Sequence, residues 1–418
     1  MDAADTLTAI VEEHADEAAF LWLQRGAAVT APNYDPQQFA DLDERLAAHV
    51  DGLRVAGEAG WQCVAQALDN QGPEDFFPAA VLALEAQDAR FDDLIERAAA
   101  VPAVAPGLAS ALGWVEPAQL GARVKDLLRS ELPLARKLGI AACALHRRDP
   151  GAVLAEAVAD QADSVRIRAL RAAGELGRTD LLPQALALSG EAKPDLRFRA
   201  AWSGVLLGDR RHALDALRAI ALEPGRRQLQ ALQLALQAMD TEAGHALLAA
   251  CEPLPGAKRL RIIGAGFSGD ARYAPWLIEQ MVAPETARIA AEAFVLITGV
   301  DFNAQQMEVP PPDGFEDGPS EDPDDENVDV PEDVALPWPD VQRIRQWWAA
   351  HAARFAPGQR FFMGAPVTDA ACVQVLRTGF QRQRVAAALH RTLLQPGVPL
   401  FPTSAPAWRQ QRWLAQLG

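Results

Sequence analysis

No stretch of this 418-residue chain is apolar for long enough to cross a membrane, since a spanning helix takes about 20 consecutive apolar residues. The first residues, MDAADTLTAIVEEHADEAAF, lack the basic and apolar stretches of a secretory signal. Cysteine is scarce. Cys63, Cys143, Cys251 and Cys372 stand far apart, without metal-ligand spacing, and read as buried thiols of a reducing cytoplasm. Aromatics make up only 6% of the chain and β-branched residues are sparse, so strand formers are few. Alanine and leucine dominate instead, and both lose little on entering a helix. With half the residues apolar the chain is not disordered as a whole. Its length predicts two or more structural units. A pI near 4.9 argues against general nucleic-acid binding.

Positive charge is missing from one place in particular. Residues 301–340 hold 14 Asp and Glu and no Lys or Arg, whereas 341–418 hold ten Arg and a single acid, Asp369. Those segments carry −14 and +9, which leaves −12 of the total −17 for residues 1–300. Charge segregated in this way points to partners, or to one segment folding onto another.

A period runs through the middle of the chain. The segments 165–186, 196–217, 227–248 and 259–280 each read as an apolar helix interleaved with Arg or Gln, a turn with Gly or Asp, and a second apolar helix. Weaker copies lie at 79–98 and 107–128. The turns fall at Asp149, Asp180, Asp209, Asp240, Asp270 and Asp301, in steps of 31, 29, 31, 30 and 31 residues. A helix pair cannot bury its apolar face alone, and stacking neighbours makes one continuous core. Arg166, Arg168, Arg197, Arg199, Arg259, Arg261 and Arg288 start the first helices and form a row along one edge. The favoured reading of that row is a solvated face paired with acids of the adjoining repeat. The array resembles bacterial HEAT-like repeat proteins over about 79–300. That resemblance implies binding to other macromolecules and, in some branches, a small-molecule lyase activity.

Four segments are therefore expected. Residues 1–72 form an N-terminal helical cap, with two amphipathic helices joined at Asn33-Tyr34-Asp35-Pro36 and Asp41 or Asp43 near the start of the second. Residues 73–302 form the repeats. Residues 303–337 carry Pro310, Pro311, Pro312, Pro319, Pro323, Pro331 and Pro337 among their acids, and read as a long flexible loop. Residues 338–418 form a basic helical region with Trp338, Trp347, Trp348, Trp408 and Trp413. The fold class is all-α, a HEAT-like α-solenoid.

Several motifs need weighing. Gly264-Ala265-Gly266-Phe267-Ser268-Gly269 matches the dinucleotide-binding GxGxxG, but it lies in register with the repeats and no βαβ pattern surrounds it. Asp322-Pro323-Asp324-Asp325-Glu326-Asn327 is similar to a calcium loop, with Asn where the sharp turn needs Gly. Glu12, Glu13, His14 and Glu17 share an early helix, and a metal site there would need ligands from other helices. The pair Trp347–Trp348 with Arg343 and Arg345 could stack on nucleic acid, but core packing is the preferred reading.

The whole chain also resembles an uncharacterised bacterial family with a HEAT-like middle. The matching stretches, in order, are AAFLWLQR (18–25), YDPQQFADLDERLAAHVDGL (34–53), ITG (297–299), LPWPDVQRIRQWW (336–348), GQRFFMGAP (358–366) and RQRVAAALH (382–390). The resemblance implies gene neighbours encoding type VI secretion spike, tip and effector proteins. It supplies no catalytic residues and no cofactor. The expected function is non-catalytic protein binding in the cytoplasm, by an accessory protein that binds a secreted effector or spike-tip component and helps load it. Neither nucleic acid nor membrane is an expected partner. The candidate contact residues are Asp322, Asp324, Asp325 and Glu326 of the acidic loop, and Arg343, Arg345, Trp347, Trp348, Arg382 and Arg384 of the basic region. One alternative is an immunity protein whose acidic loop imitates the phosphate backbone before a toxin, such as a nuclease. Another is a lyase-type enzyme.

Overall fold

The structure, a computed structural model, describes residues 3–315 and 332–417. Among the described residues the fold is all-α, with 23 α-helices and two minimal antiparallel strand pairs. None of these helices is long and apolar enough to cross a membrane. The chain divides into two compact units.

The first unit comprises Met1–Thr30, Tyr34–Ser203 and Gly397–Gly418. Its helices are α1 (Ala3–Ala28), α2 (Pro36–Val55), α3 (Glu58–Ala67), α4 (Pro73–Ala86), α5 (Arg90–Ala100), α6 (Ala105–Trp114), α7 (Pro117–Leu120), α8 (Arg123–Arg129), α9 (Pro133–Leu145), α10 (Ala152–Val158), α11 (Asp163–Leu176) and α12 (Leu182–Leu188). The division falls inside α13 (Pro194–Leu206). The second unit, residues 31–33 and 204–396, holds α14 (His212–Ala221), α15 (Gln228–Ala238), α16 (Thr241–Ala250), α17 (Ala257–Ser268), α18 (Ala274–Gln280) and α19 (Pro284–Thr298). It continues with β1 (Glu308–Val309) paired to β2 (Trp338–Pro339), α20 (Val341–His351), β3 (Phe361–Phe362) paired to β4 (Ala365–Pro366), α21 (Asp369–Thr378) and α22 (Gln381–Leu394). The last helix, α23 (Ala407–Leu414), returns to the first unit. The basic region read from the sequence as one segment is thus divided between the two units.

Local chemistry explains where the helices begin. Asp35 accepts from the Gln38 N–H while the Gln38 side chain accepts from the Asp35 N–H, and Pro36 opens α2. This reciprocal cap starts α2 ahead of Asp41 and Asp43, so Asp43 lies within the helix and is buried. Of the six expected turn aspartates, Asp149, Asp209, Asp240 and Asp270 lie between helices, Asp180 lies in a 3-10 turn between α11 and α12, and Asp301 follows α19. Asp209 accepts from the Ala213 N–H, Asp240 from Ala243, Asp270 from Arg272 and Asp301 from Ala304. Each satisfies backbone donors that a helix or turn start leaves over.

In the first unit α4 packs on α6, α6 on α9 and α9 on α11; in the second, α15 packs on α17 and α17 on α19. Glycines set the closest approaches. Gly264 and Gly266 of the GxGxxG match lie inside α17, where a Cβ would stand 2.4 Å from Leu248 and 2.8 Å from Ala293 respectively. They serve helix packing and not a phosphate. Ion pairs join positions about one repeat apart. Arg54 pairs with Glu85, Arg123 with Asp92, Arg178 with Asp149, Lys193 with Asp163 and Arg272 with Glu242. Most are half-exposed, and each is worth at most about 1 kcal/mol.

Candidate functional site

An α-helix leaves its last four carbonyls without internal partners. In both units the C-terminal part of the chain supplies those partners, largely through arginine. Arg409, buried, donates to the carbonyls of Gly113, Trp114 and Val115 at the end of α6. The Ala407 N–H donates to Asp43 at 2.7 Å, and Asp43 also accepts from Arg25 Nε at 2.5 Å. The Leu400 N–H donates to the Glu175 carbonyl in α11, and the Leu400 carbonyl accepts from Arg147 just beyond α9. Trp408 stands edge-on to Trp114 with centroids 4.7 Å apart.

The second unit repeats the device. Arg360 donates from Nε to Ser268 O, from Nη1 to Gln237 O and from Nη2 to Leu236 O and Met239 O, so one guanidinium closes the ends of α15 and α17. The Phe361 N–H donates to Gly269 O, Met363 to Leu296 O and Gly364 to Ile297 O. Arg210 donates to Val205 O at the end of α13 and to Leu393 O. These roles of Arg147, Arg210, Arg360 and Arg409 were not visible in the sequence, where a capping arginine looks like a solvated one.

Arg210 and Arg360 also line a cavity of about 330 Å³ with Gln237, Gln359, His390 and Leu394. No acid lines it. His390 is 3% exposed and packs on Phe362, and burial, with Arg360 adding, pushes its pKa down to about 3. No hydrogen bond to its ring is found among the described residues. Gln237, equally buried, donates to the Ala386 carbonyl, while its Oε1 has no partner among the described residues.

A second basic feature lies in the first unit. Lys137 on α9, Arg168 on α11 and Arg199 on α13 occupy one repeat position, 31 residues apart at each step. All three are half-buried. Arg168 pairs with the buried Glu175, which also holds Arg171. The surrounding Arg168, Arg171 and Arg147 hold the Glu175 carboxyl far below the usual range against its burial. Arg199 lies over Phe198 and Trp202. Lys137 has no carboxylate within ion-pair distance among the described residues, and burial, then Arg168, lowers its pKa.

The sequence-predicted contact residues are placed differently. Asp322, Asp324, Asp325 and Glu326, with the calcium-like motif, lie outside the described residues. Trp347 and Trp348 both pack on Phe294, with centroids 6.0 and 5.9 Å away, and Trp347 stacks on His351. Arg343 pairs with Asp340 and donates to Gln306 O, and Arg345 is exposed. Arg382 reaches Glu292, whose pKa burial raises against the pull of that guanidinium, and the Glu332 carbonyl. Arg384 is 1% exposed and donates to Leu376 O, so it offers a partner no surface. The described flanks of the acidic segment meet Arg259 and Arg288, through the Asp333 carboxylate and the Val334 carbonyl. His14 does gain a second imidazole, with Nδ1 3.2 Å from His49 Nδ1. No group of three metal-ligating side chains is found among the described residues.

No family model matches the chain, and no curated protein matches it either.

Proposed function

We propose that the chain is a non-catalytic, protein-binding α-solenoid of HEAT-like repeats. In this reading it is a cytoplasmic accessory protein that binds a type VI secretion effector or a spike-tip component and helps load it. The observation that supports this most directly is the cationic row Lys137, Arg168 and Arg199. A half-buried lysine with no carboxylate partner among the described residues, beside a second cation, stores unfavourable charge that an acidic partner would relieve. Repetition at one position of successive helices matches an extended contact, and Trp202 beside Arg199 supplies the aromatic–arginine pairing common at binding hot spots. The sequence resemblance supplies the secretion context.

A deletion strain tests the reading. Export of the co-encoded effector should be lost, while cells making that effector internally should die as before. Restoring the gene should restore export, and the double reversal Lys137→Glu, Arg199→Glu should not, with the helical spectrum of the variant unchanged. If the protein protects cells from the internal toxin, it is an immunity protein. If neither export nor protection changes, both roles fall.

A further inference from the structure

We propose that the cavity between Arg210, Arg360, Gln237 and His390 is a binding site for a small oxyanion that carries its own hydrogen-bond donor, such as hydrogen phosphate or a 2-hydroxycarboxylate. The argument is an inventory of donors and acceptors. A guanidinium has five N–H groups. Arg360 commits Nε, both hydrogens of Nη2 and one of Nη1 to backbone carbonyls, which leaves one N–H of Nη1. Arg210 commits Nη1 and one hydrogen of Nη2, which leaves Nε and the other Nη2 hydrogen. Both side chains are held by several bonds, so their remaining donors are positioned before any ligand arrives, which lowers the ordering cost of binding.

The lining is cationic and without acids, so it selects negative charge. Two buried polar groups set a further condition. Gln237 Oε1 is an acceptor that lacks a donor among the described residues. The His390 imidazole, neutral in this setting, offers one acceptor and one donor nitrogen. A bare anion would satisfy the arginines and leave Gln237 Oε1 unmet. An anion with a hydroxyl satisfies the arginines and also donates its one hydrogen to Gln237 Oε1. The volume, about 330 Å³, is at the lower end for small-molecule pockets, which run from about 300 to 1,000 Å³.

This inference is independent of the proposed function, because the cavity lies wholly in the second unit and the cationic row in the first. The test uses the full chain and pairs of probes that differ only in the donor. Inorganic phosphate is compared with sulfate, and malate with succinate, by titration calorimetry and thermal shift at fixed ionic strength and pH 7. At least one donor-bearing probe should bind, and about tenfold more tightly than its partner. Preference for phosphate or for malate identifies the class. Leu394→Trp, at a 45% exposed lining position that makes none of these hydrogen bonds, should abolish binding while leaving the melting temperature of the free protein unchanged. Gln237→Leu should equalise the paired probes. No binding by any probe, equal binding within both pairs, or binding that survives Leu394→Trp overturns the proposal.

Discussion

Asp43 has no exposure and accepts from a guanidinium and from a backbone N–H 364 residues away. Removing one member of a buried ionic pair leaves the other uncompensated, at about 3–5 kcal/mol. Asp43→Ala should therefore cost about that much in denaturant unfolding and make residues 397–406 susceptible to protease. A loss below about 1 kcal/mol would show that the contact is incidental. Histidines set the pH response. His146, bonded to the Leu112 carbonyl, has its pKa lowered to about 4, and that of His390 is lowered to about 3. Both values lie below the unfolded value near 6.5, so the unfolded chain takes up protons first as the pH falls. Stability should decline below about pH 6.5, by up to about 2 kcal/mol per histidine at pH 5, and the decline should level off only near the folded values. Urea midpoints at pH 7 and 5 check this, and the double variant His146→Gln, His390→Gln should flatten the slope. Little of this was legible in the chain. Buried Arg384 and His390 share α22 with the half-buried Arg382, which reaches Glu292, and only the packing of α22 separates them.

At the scale of elements, the turns were legible and what covers them was not. A period near 31 residues and an aspartate in each turn located the helix ends, because capping is written in local sequence. The β3–β4 segment that docks on those ends is 67 to 92 residues away along the chain, and a non-local contact leaves no local mark. Its one trace is glycine. Gly299 has φ +65°, and a Cβ there would meet the Met363 carbonyl oxygen at 2.3 Å. Gly256 has a similar left-handed conformation, φ +67°, with nothing within 4 Å. Gly256→Ala should therefore cost only the left-handed strain, about 1 kcal/mol. Gly299→Ala should cost about 1–3 kcal/mol more, because backbone must move. Equal losses in thermal unfolding of the two variants would refute docking of β3–β4 on that turn.

At the scale of the whole molecule, chain order and spatial order disagree. Residues 397–418 belong to the first unit, where Leu400, Ala407, Trp408 and Arg409 meet α2, α6, α11 and the turn after α9. The basic composition of the C-terminal region suggested a surface for others, but Arg360, Arg384 and Arg409 close helix ends of the chain itself. Such closure between distant segments carries a loop-closure cost that grows with the logarithm of the loop length. A truncation after Pro396 should then act at the opposite end of the sequence. The carbonyls of Gly113, Trp114 and Val115 would lose Arg409, Asp43 would lose one donor, and Trp114 would lose its aromatic neighbour. Hydrogen exchange should quicken in α2, α6 and α11, while α17 and α19, which are closed by residues 360–364, keep their protection. A peptide of residues 397–418 added in trans should restore part of that protection. If exchange instead quickens first in α17 and α19, or does not change in α6, the returning segment does not hold the first unit together.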